Sequence, residues 1–114
     1  MYAIKMLDAP IFIANDGLTH YEAVKKEQTH GVEISTVIVT APLAEHSHPP
    51  MEQIYYIRSG RGILVIDGEE QEVEKDMVVL IPSGCTHGSR PLESDEEFSY
   101  IYFTHYLEIP CDHK

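Results

Sequence analysis

Basic residues are scarce in this chain: eight Lys and Arg stand against nineteen Asp and Glu, a formal charge of −11. No cluster of positive charge is left over to neutralise phosphates, so nucleic acid is not an expected partner. Tryptophan is absent, and the two cysteines, Cys85 and Cys111, do not form a CxxC pair. They read as free thiols rather than as a disulfide framework. No apolar run approaches the roughly 20 residues needed to cross a bilayer, so a membrane span is not expected. The opening MYAIKMLDAP lacks the apolar stretch and small-residue end of a secretory signal. The expected compartment is the cytoplasm. A sustained 3.6-residue apolar period is also missing, apart from a weak one over residues 21–26.

What is present is enough chain for one domain, residues 1–114, with an ordinary globular composition of 43% hydrophobic and 24% charged residues. Short β-prone runs separated by Gly and Pro turns fall at residues 3–7, 18–24, 32–40, 53–59, 63–66, 71–74, 77–81 and 98–107, with a small apolar run at 11–13. Asn15-Asp16-Gly17 is a turn signal, and Asp67-Gly68 has the residue preference of a two-residue hairpin. This spacing predicts an all-β antiparallel sandwich or barrel. Residues 32–40 mix apolar side chains on both faces, so one face is expected to meet a second subunit in a homodimer. The acidic stretches at 67–76 and 93–97 read as solvated surface.

Chemistry concentrates in residues 46–62, HSHPPMEQIYYIRSGRG. His46 and His48 are one residue apart, which turns both imidazoles to one side of an extended strand. Gln53 opens the next strand with a side-chain oxygen. If His87, in PSGCTHG, reaches the same point, three imidazoles and an oxygen surround a place for a divalent metal. Tyr55 shares strand parity with Gln53, and its hydroxyl would donate a proton or orient a ligand there. Tyr100 and Tyr102 share one face of the last strand. Arg58 and Arg61 are expected in solvent, Cys85 as a buried thiol without a paired base, and His20, His30, His105 and His113 as structural or exposed.

These residues resemble the cupin superfamily, whose two motifs place a metal inside a double-stranded β-helix or jelly-roll barrel. The first motif reads G-x5-H-x-H-x3-4-E-x6-G. His46, His48 and Gly60 match it, and Thr40 stands at its first glycine. Glu52 keeps a three-residue gap from His48 but misses the spacing to Gly60, whereas Gln53 satisfies both gaps and takes the ligand position. The second motif, G-x5-P-x-G-x2-H-x3-N, is matched by Pro82, Gly84 and His87, with Asp76 and Pro91 replacing its glycine and asparagine. The resemblance implies a small single-domain cupin barrel with metal ligands His46, His48, Gln53 and His87. Iron and manganese come first by family analogy, and nickel, cobalt and zinc suit the same ligands.

A glutamine in place of a glutamate leaves the metal's charge near +2. Such a site holds its cation less tightly and favours an anionic ligand, a carboxylate or keto acid, bound to it. With Glu52 as ligand instead, that argument weakens. Metal binding should fail as the histidines protonate, near about pH 6. Two functions follow: a metal-dependent enzyme of dioxygenase, isomerase or lyase type with Tyr55 as a catalytic residue, or a non-catalytic barrel that senses or sequesters a small metabolite.

Overall fold

A computed structural model describes residues 3–47, 50–93 and 96–107. These residues form ten strands: β1 (Ile11–Ile13), β2 (Thr19–Val24), β3 (Val32–Val39), β4 (Leu43–His46), β5 (Met51–Ser59), β6 (Arg61–Ile66), β7 (Glu69–Glu74), β8 (Val78–Ile81), β9 (His87–Pro91) and β10 (Phe98–Tyr106). They build two antiparallel sheets of jelly-roll strand order. The larger has the order β1-β2-β3-β10-β5-β8, and the smaller β4-β9-β6-β7. Among the described residues no strand belongs to both sheets, so the interior is framed by two facing walls. No helix among them is long and apolar enough to cross a membrane.

The aromatic run FSYIYFTHY makes β10 the spine of the larger sheet, hydrogen-bonded to β3 on one side and β5 on the other. Its β-branched and aromatic side chains suit a pleated, covered position. Phe98 and Tyr100 join Val37, Val39, Ile57, Leu64, Val73 and Ile81 in one core that draws on both sheets. Gly62 of β6 makes this possible. A Cβ there would lie 2.4 Å from the Phe98 ring, so the bare backbone is what lets the ring seat.

Two turns show how the motif positions work. Asp67 and Gly68 both have positive φ, at 50° and 81°, as a tight hairpin of this hand requires. Asp76 takes φ 75° at the position where the family's motif has glycine, and its N–H donates to the Ile57 carbonyl at 2.8 Å. Aspartate tolerates the left-handed region better than most residues.

Several sequence expectations are corrected. Residues 3–7 form no strand. Met6–Asp8 is a 3-10 turn closed by Asp8 N–H to Lys5 and Ala9 N–H to Met6, which satisfies the backbone locally. The weak helical period at 21–26 is overridden by pairing: β2 runs to Val24 between β1 and β3, and only Lys26–Gln28 makes a 3-10 turn. β5 starts at Met51 rather than at residue 53. β9 was not expected as a strand, and β4 begins at Leu43, ahead of the extended strand expected at His46. HGSRP has little strand propensity, and β9 is held by position, between β4 and β6, rather than by its own preference.

Phe98→Ala should destabilise the protein by about 3–5 kcal/mol, because the ring is fully buried and joins the sheets. Urea unfolding followed by far-UV circular dichroism measures the loss.

Candidate functional site

β4 and β9 are adjacent in the smaller sheet, and their register sets His46 directly opposite His87. The ring centroids are 4.4 Å apart. This close approach depends on Gly88, where a Cβ would lie 2.7 Å from the Leu43 carbonyl oxygen and 3.1 Å from the Glu45 nitrogen. Each imidazole is oriented by backbone two residues earlier: His46 Nδ1 lies 2.8 Å from the Ala44 carbonyl, and His87 Nδ1 lies 3.2 Å from the Cys85 carbonyl. A carbonyl only accepts, so each Nδ1 carries a proton, and in the neutral form of each ring the lone pair is on Nε2. Locking the second nitrogen in this way is how proteins set a histidine to ligate a metal.

The opposite wall comes from the larger sheet. Gln53 and Glu52 are neighbours on β5, and alternation sends them to opposite faces. Glu52 turns outward to His105, with Oε1 3.4 Å from Nδ1 and both side chains about half exposed. Gln53 turns inward, is 9% exposed, and donates through Nε2 to Thr104 Oγ1 at 2.9 Å. The Tyr55 hydroxyl lies 3.4 Å from Gln53 Oε1, and its ring meets His87 edge-on at 6.5 Å. Tyr55 thus spans the space between the amide and the imidazole pair.

His46, Gln53 and Tyr55 line a cleft of about 520 Å³ between β4 and the larger sheet, together with Tyr100, Tyr102 and Tyr106. Among the described residues on its wall, three are carboxylates, Asp16, Glu33 and Glu45, and none is Lys or Arg. Burial raises the Tyr55 phenol well above its ordinary value, reinforced by Tyr100 beside it. Burial likewise raises Tyr100 and Tyr102. All three therefore stand as neutral hydroxyls at physiological pH.

His48 lies outside the described residues, as do Cys111 and His113. Among the described residues no group of three His, Cys, Asp or Glu side chains gathers closely enough to hold a metal. The donor chemistry that is described nevertheless suits a divalent cation: two oriented imidazoles on one wall and an inward-facing amide on the other. Arg61 is exposed and pairs with Glu96, whereas Arg58 is only half-exposed and donates to Ser99 Oγ at 3.2 Å. Cys85 is half-buried and packs against the core.

His20, expected as structural or exposed, is a buried and hydrogen-bonded side chain. It is 7% exposed and lines the cleft, held between Asp16 and Tyr102. The Asp16-x3-His20 spacing is visible in the sequence. Its link to Tyr102, 82 residues away, arises only from the pairing of β10 with β3 and of β3 with β2.

Fold and cleft together define an all-β protein with a tyrosine-lined recess between two jelly-roll sheets. Residues 25–103 match the cupin domain family, and the chain belongs to it. An uncharacterized protein of Methanocaldococcus jannaschii is 32% identical over 80 residues, a stretch covering 67% of this chain and 64% of that protein's length. A predicted oxalate decarboxylase from Thermotoga maritima superposes with a TM-score of 0.81 at 15% identity, over 92% of this chain and 99% of its own. KdgF from Halomonas sp. gives 0.73 at 18%, over 95% and 94%, and the cupin domain of Cnp3 from Schizosaccharomyces pombe gives 0.77 at 13%, over 93% and 74%. At these identities the solved structures speak for the fold alone.

Two outcomes test this geometry. In the unfolded chain the phenols ionise near about pH 10, while the buried ones keep their protons to higher pH. Above that value the unfolded state binds fewer protons, so stability should be unaffected below about pH 10 and fall as pH rises beyond it. Urea midpoints between pH 8 and 11, with absorbance at 295 nm, read this. Gly88→Ala should push β4 off β9 and weaken the nuclear Overhauser effect between the two imidazoles, while contacts between β10 and β5 persist.

Proposed function

We propose that this cupin binds one divalent transition metal through His46, His87 and Gln53, with His48 included on its sequence spacing alone. The cleft beside it takes a small organic acid, a carboxylate or keto acid, for isomerase, lyase or dioxygenase chemistry inside a jelly-roll barrel. The observation that carries this reading is the in-register His46 and His87 pair with both Nδ1 atoms committed to carbonyls. Iron and manganese come first, by family analogy, and nickel, cobalt and zinc suit the same donors. That a Thermotoga relative of the same fold is described as a predicted oxalate decarboxylase is consistent with an organic-acid ligand.

The three carboxylates on the wall give the proposal a sharp edge. Without a cation the cleft repels an anion, so acid binding is conditional on the metal. A bound cation supplies a positive anchor and Lewis acidity for the ligand's oxygens. The chain's part is to hold and orient. Thr104 fixes the Gln53 amide so that its oxygen faces inward, and the Tyr55 hydroxyl, kept neutral by burial, donates to that oxygen or to a ligand oxygen placed beside it.

The alternative is a non-catalytic sensing module that acts through a partner protein or a second copy. Exposed apolar side chains favour it: Ile11 and Ile13 on edge strand β1, and Val78 and Leu80 on edge strand β8. Homodimerisation through such a surface is readable by sizing chromatography with light scattering.

Metal analysis of freshly purified protein should find close to one first-row divalent ion per chain, lost in His46→Ala and His87→Ala. Gln53→Glu should bind that ion at least about tenfold more tightly and a carboxylate ligand correspondingly less tightly. Calorimetry with oxalate and pyruvate should show binding to the loaded protein and none to the chelator-treated one. Retention of metal in His87→Ala, or equal acid binding with and without the ion, refutes the reading.

A further inference from the structure

Asp16, His20 and Tyr102 form a hydrogen-bonded chain in the wall of the cleft that the metal reading does not use. Asp16 Oδ2 lies 2.9 Å from His20 Nε2, and His20 Nδ1 lies 2.7 Å from the Tyr102 hydroxyl. A carboxylate only accepts, so Nε2 carries a proton, and in the neutral form of the ring Nδ1 presents its lone pair to the phenol. Asp16 is itself fixed, because its other oxygen accepts the Leu18 N–H at 2.7 Å. Phe12 stacks on the imidazole at 5.0 Å and 15° between planes, which leaves the ring one orientation. The side chains of His20 and Asp16 are 9% and 16% exposed. All three residues border the cleft.

We propose that Tyr102, His20 and Asp16 are a proton relay that takes a proton from, and returns it to, a carbon next to the carbonyl group of a small ligand in the cleft. The phenol oxygen accepts the proton from the C–H bond while the phenol's own proton passes to His20 Nδ1. The electron pair of the C–H bond remains on the ligand as an enolate. Asp16, still ionised, faces the resulting imidazolium. Tyr102 is neutral before and after, so the step never requires a tyrosinate. Reversal delivers the proton to the same carbon or to a neighbouring one, which amounts to isotope exchange or isomerisation, with no oxidant or reductant.

Three features make this a relay rather than a simple tie between the first hairpin and β10. Burial, tempered by the Ser35 hydroxyl and reinforced by Glu33, raises the Tyr102 phenol, so alone it is no base at neutral pH. An acceptor directly behind it removes that obstacle. The described residues lining the cleft include no Cys, Ser, Thr or Lys, so covalent catalysis by those side chains has no candidate there, whereas proton transfer has a complete set of groups. The other titratable groups on the cleft wall are Glu33, Glu45, His46, Tyr55, Tyr100 and Tyr106, and none of them stands between His20 and its two partners.

The keto-acid form of the substrate rests on the proposed organic-acid reading of the cleft, so the test separates the two. The full chain as purified is placed in deuterated buffer with pyruvate and with hydroxyacetone, its neutral counterpart. Proton spectra follow exchange next to the carbonyl, and saturation transfer reads binding. In parallel, 5-nitrobenzisoxazole, a neutral C–H acid with an absorbance signal on elimination, reports the base without any carboxylate. Exchange or elimination should exceed the buffer rate at least tenfold in the native protein and drop to that rate in Tyr102→Phe, which keeps the aromatic packing. Asp16→Asn keeps the contact with Leu18 and should lower kcat about tenfold or more with KM unchanged, the mark of a positioning residue. Pyruvate that binds without exchange, together with no elimination, overturns the relay and leaves the organic-acid reading standing. Elimination lost in Tyr102→Phe, with pyruvate neither bound nor exchanged, supports the relay and removes that reading. Rates in Tyr102→Phe equal to the native ones overturn the relay.

Discussion

The ring of Phe98, lying where Gly62 has no side chain, sets how closely the two sheets approach. Phe98 belongs to the central strand of the larger sheet and Gly62 to the smaller one, so a single aromatic residue fills the gap that both walls must share. Close packing is unforgiving at such a point, since neither a larger residue at 62 nor a smaller one at 98 can be absorbed without moving a sheet. Between β4 and the larger sheet a cleft opens, lined by tyrosines together with Val37, Leu43 and Met51.

Within that recess, positions are set by backbone more than by side chains. His46 and His87 are opposed by strand register, oriented by carbonyls of their own strands, and brought together by a glycine. Gln53 is held by Thr104 on the neighbouring strand, its direct partner in the β10 and β5 ladder. Such groups need little rearrangement when a ligand arrives, which is the condition for electrostatic preorganisation. The carboxylates around the rim act in the opposite sense and make the cleft selective about the charge it admits.

How much of this was legible in the sequence depended on whether the controlling interaction was local. The hairpin at Asp67-Gly68 was readable because two adjacent residues encode its dihedral angles. β3, β5 and β10 were readable from their β-branched and aromatic runs. The inward direction of Gln53 followed from its two motif gaps, and the structure turns Glu52 away on the opposite face. β9 was not readable, because its residues take the strand conformation from their neighbours. The setting of His20 was not readable for a related reason. Asp16 sits in the turn before β2 and His20 on β2 itself, but Tyr102, to which His20 is hydrogen-bonded, lies near the far end of the chain.

The acidic edge strand has a consequence for how molecules behave in concentrated solution. β7 carries Glu69, Glu70, Glu72 and Glu74 along the open rim of the smaller sheet. Two copies meeting rim to rim would set carboxylates against carboxylates, offset only where Arg90 pairs with Glu70, a colloidal fence that opposes ribbon growth. Because that repulsion decays over roughly 10 Å at 0.1 M salt and about 3 Å at 1 M, brine removes it while leaving the fold intact. Stacking through this rim is thus suppressed in dilute buffer and released as ionic strength climbs.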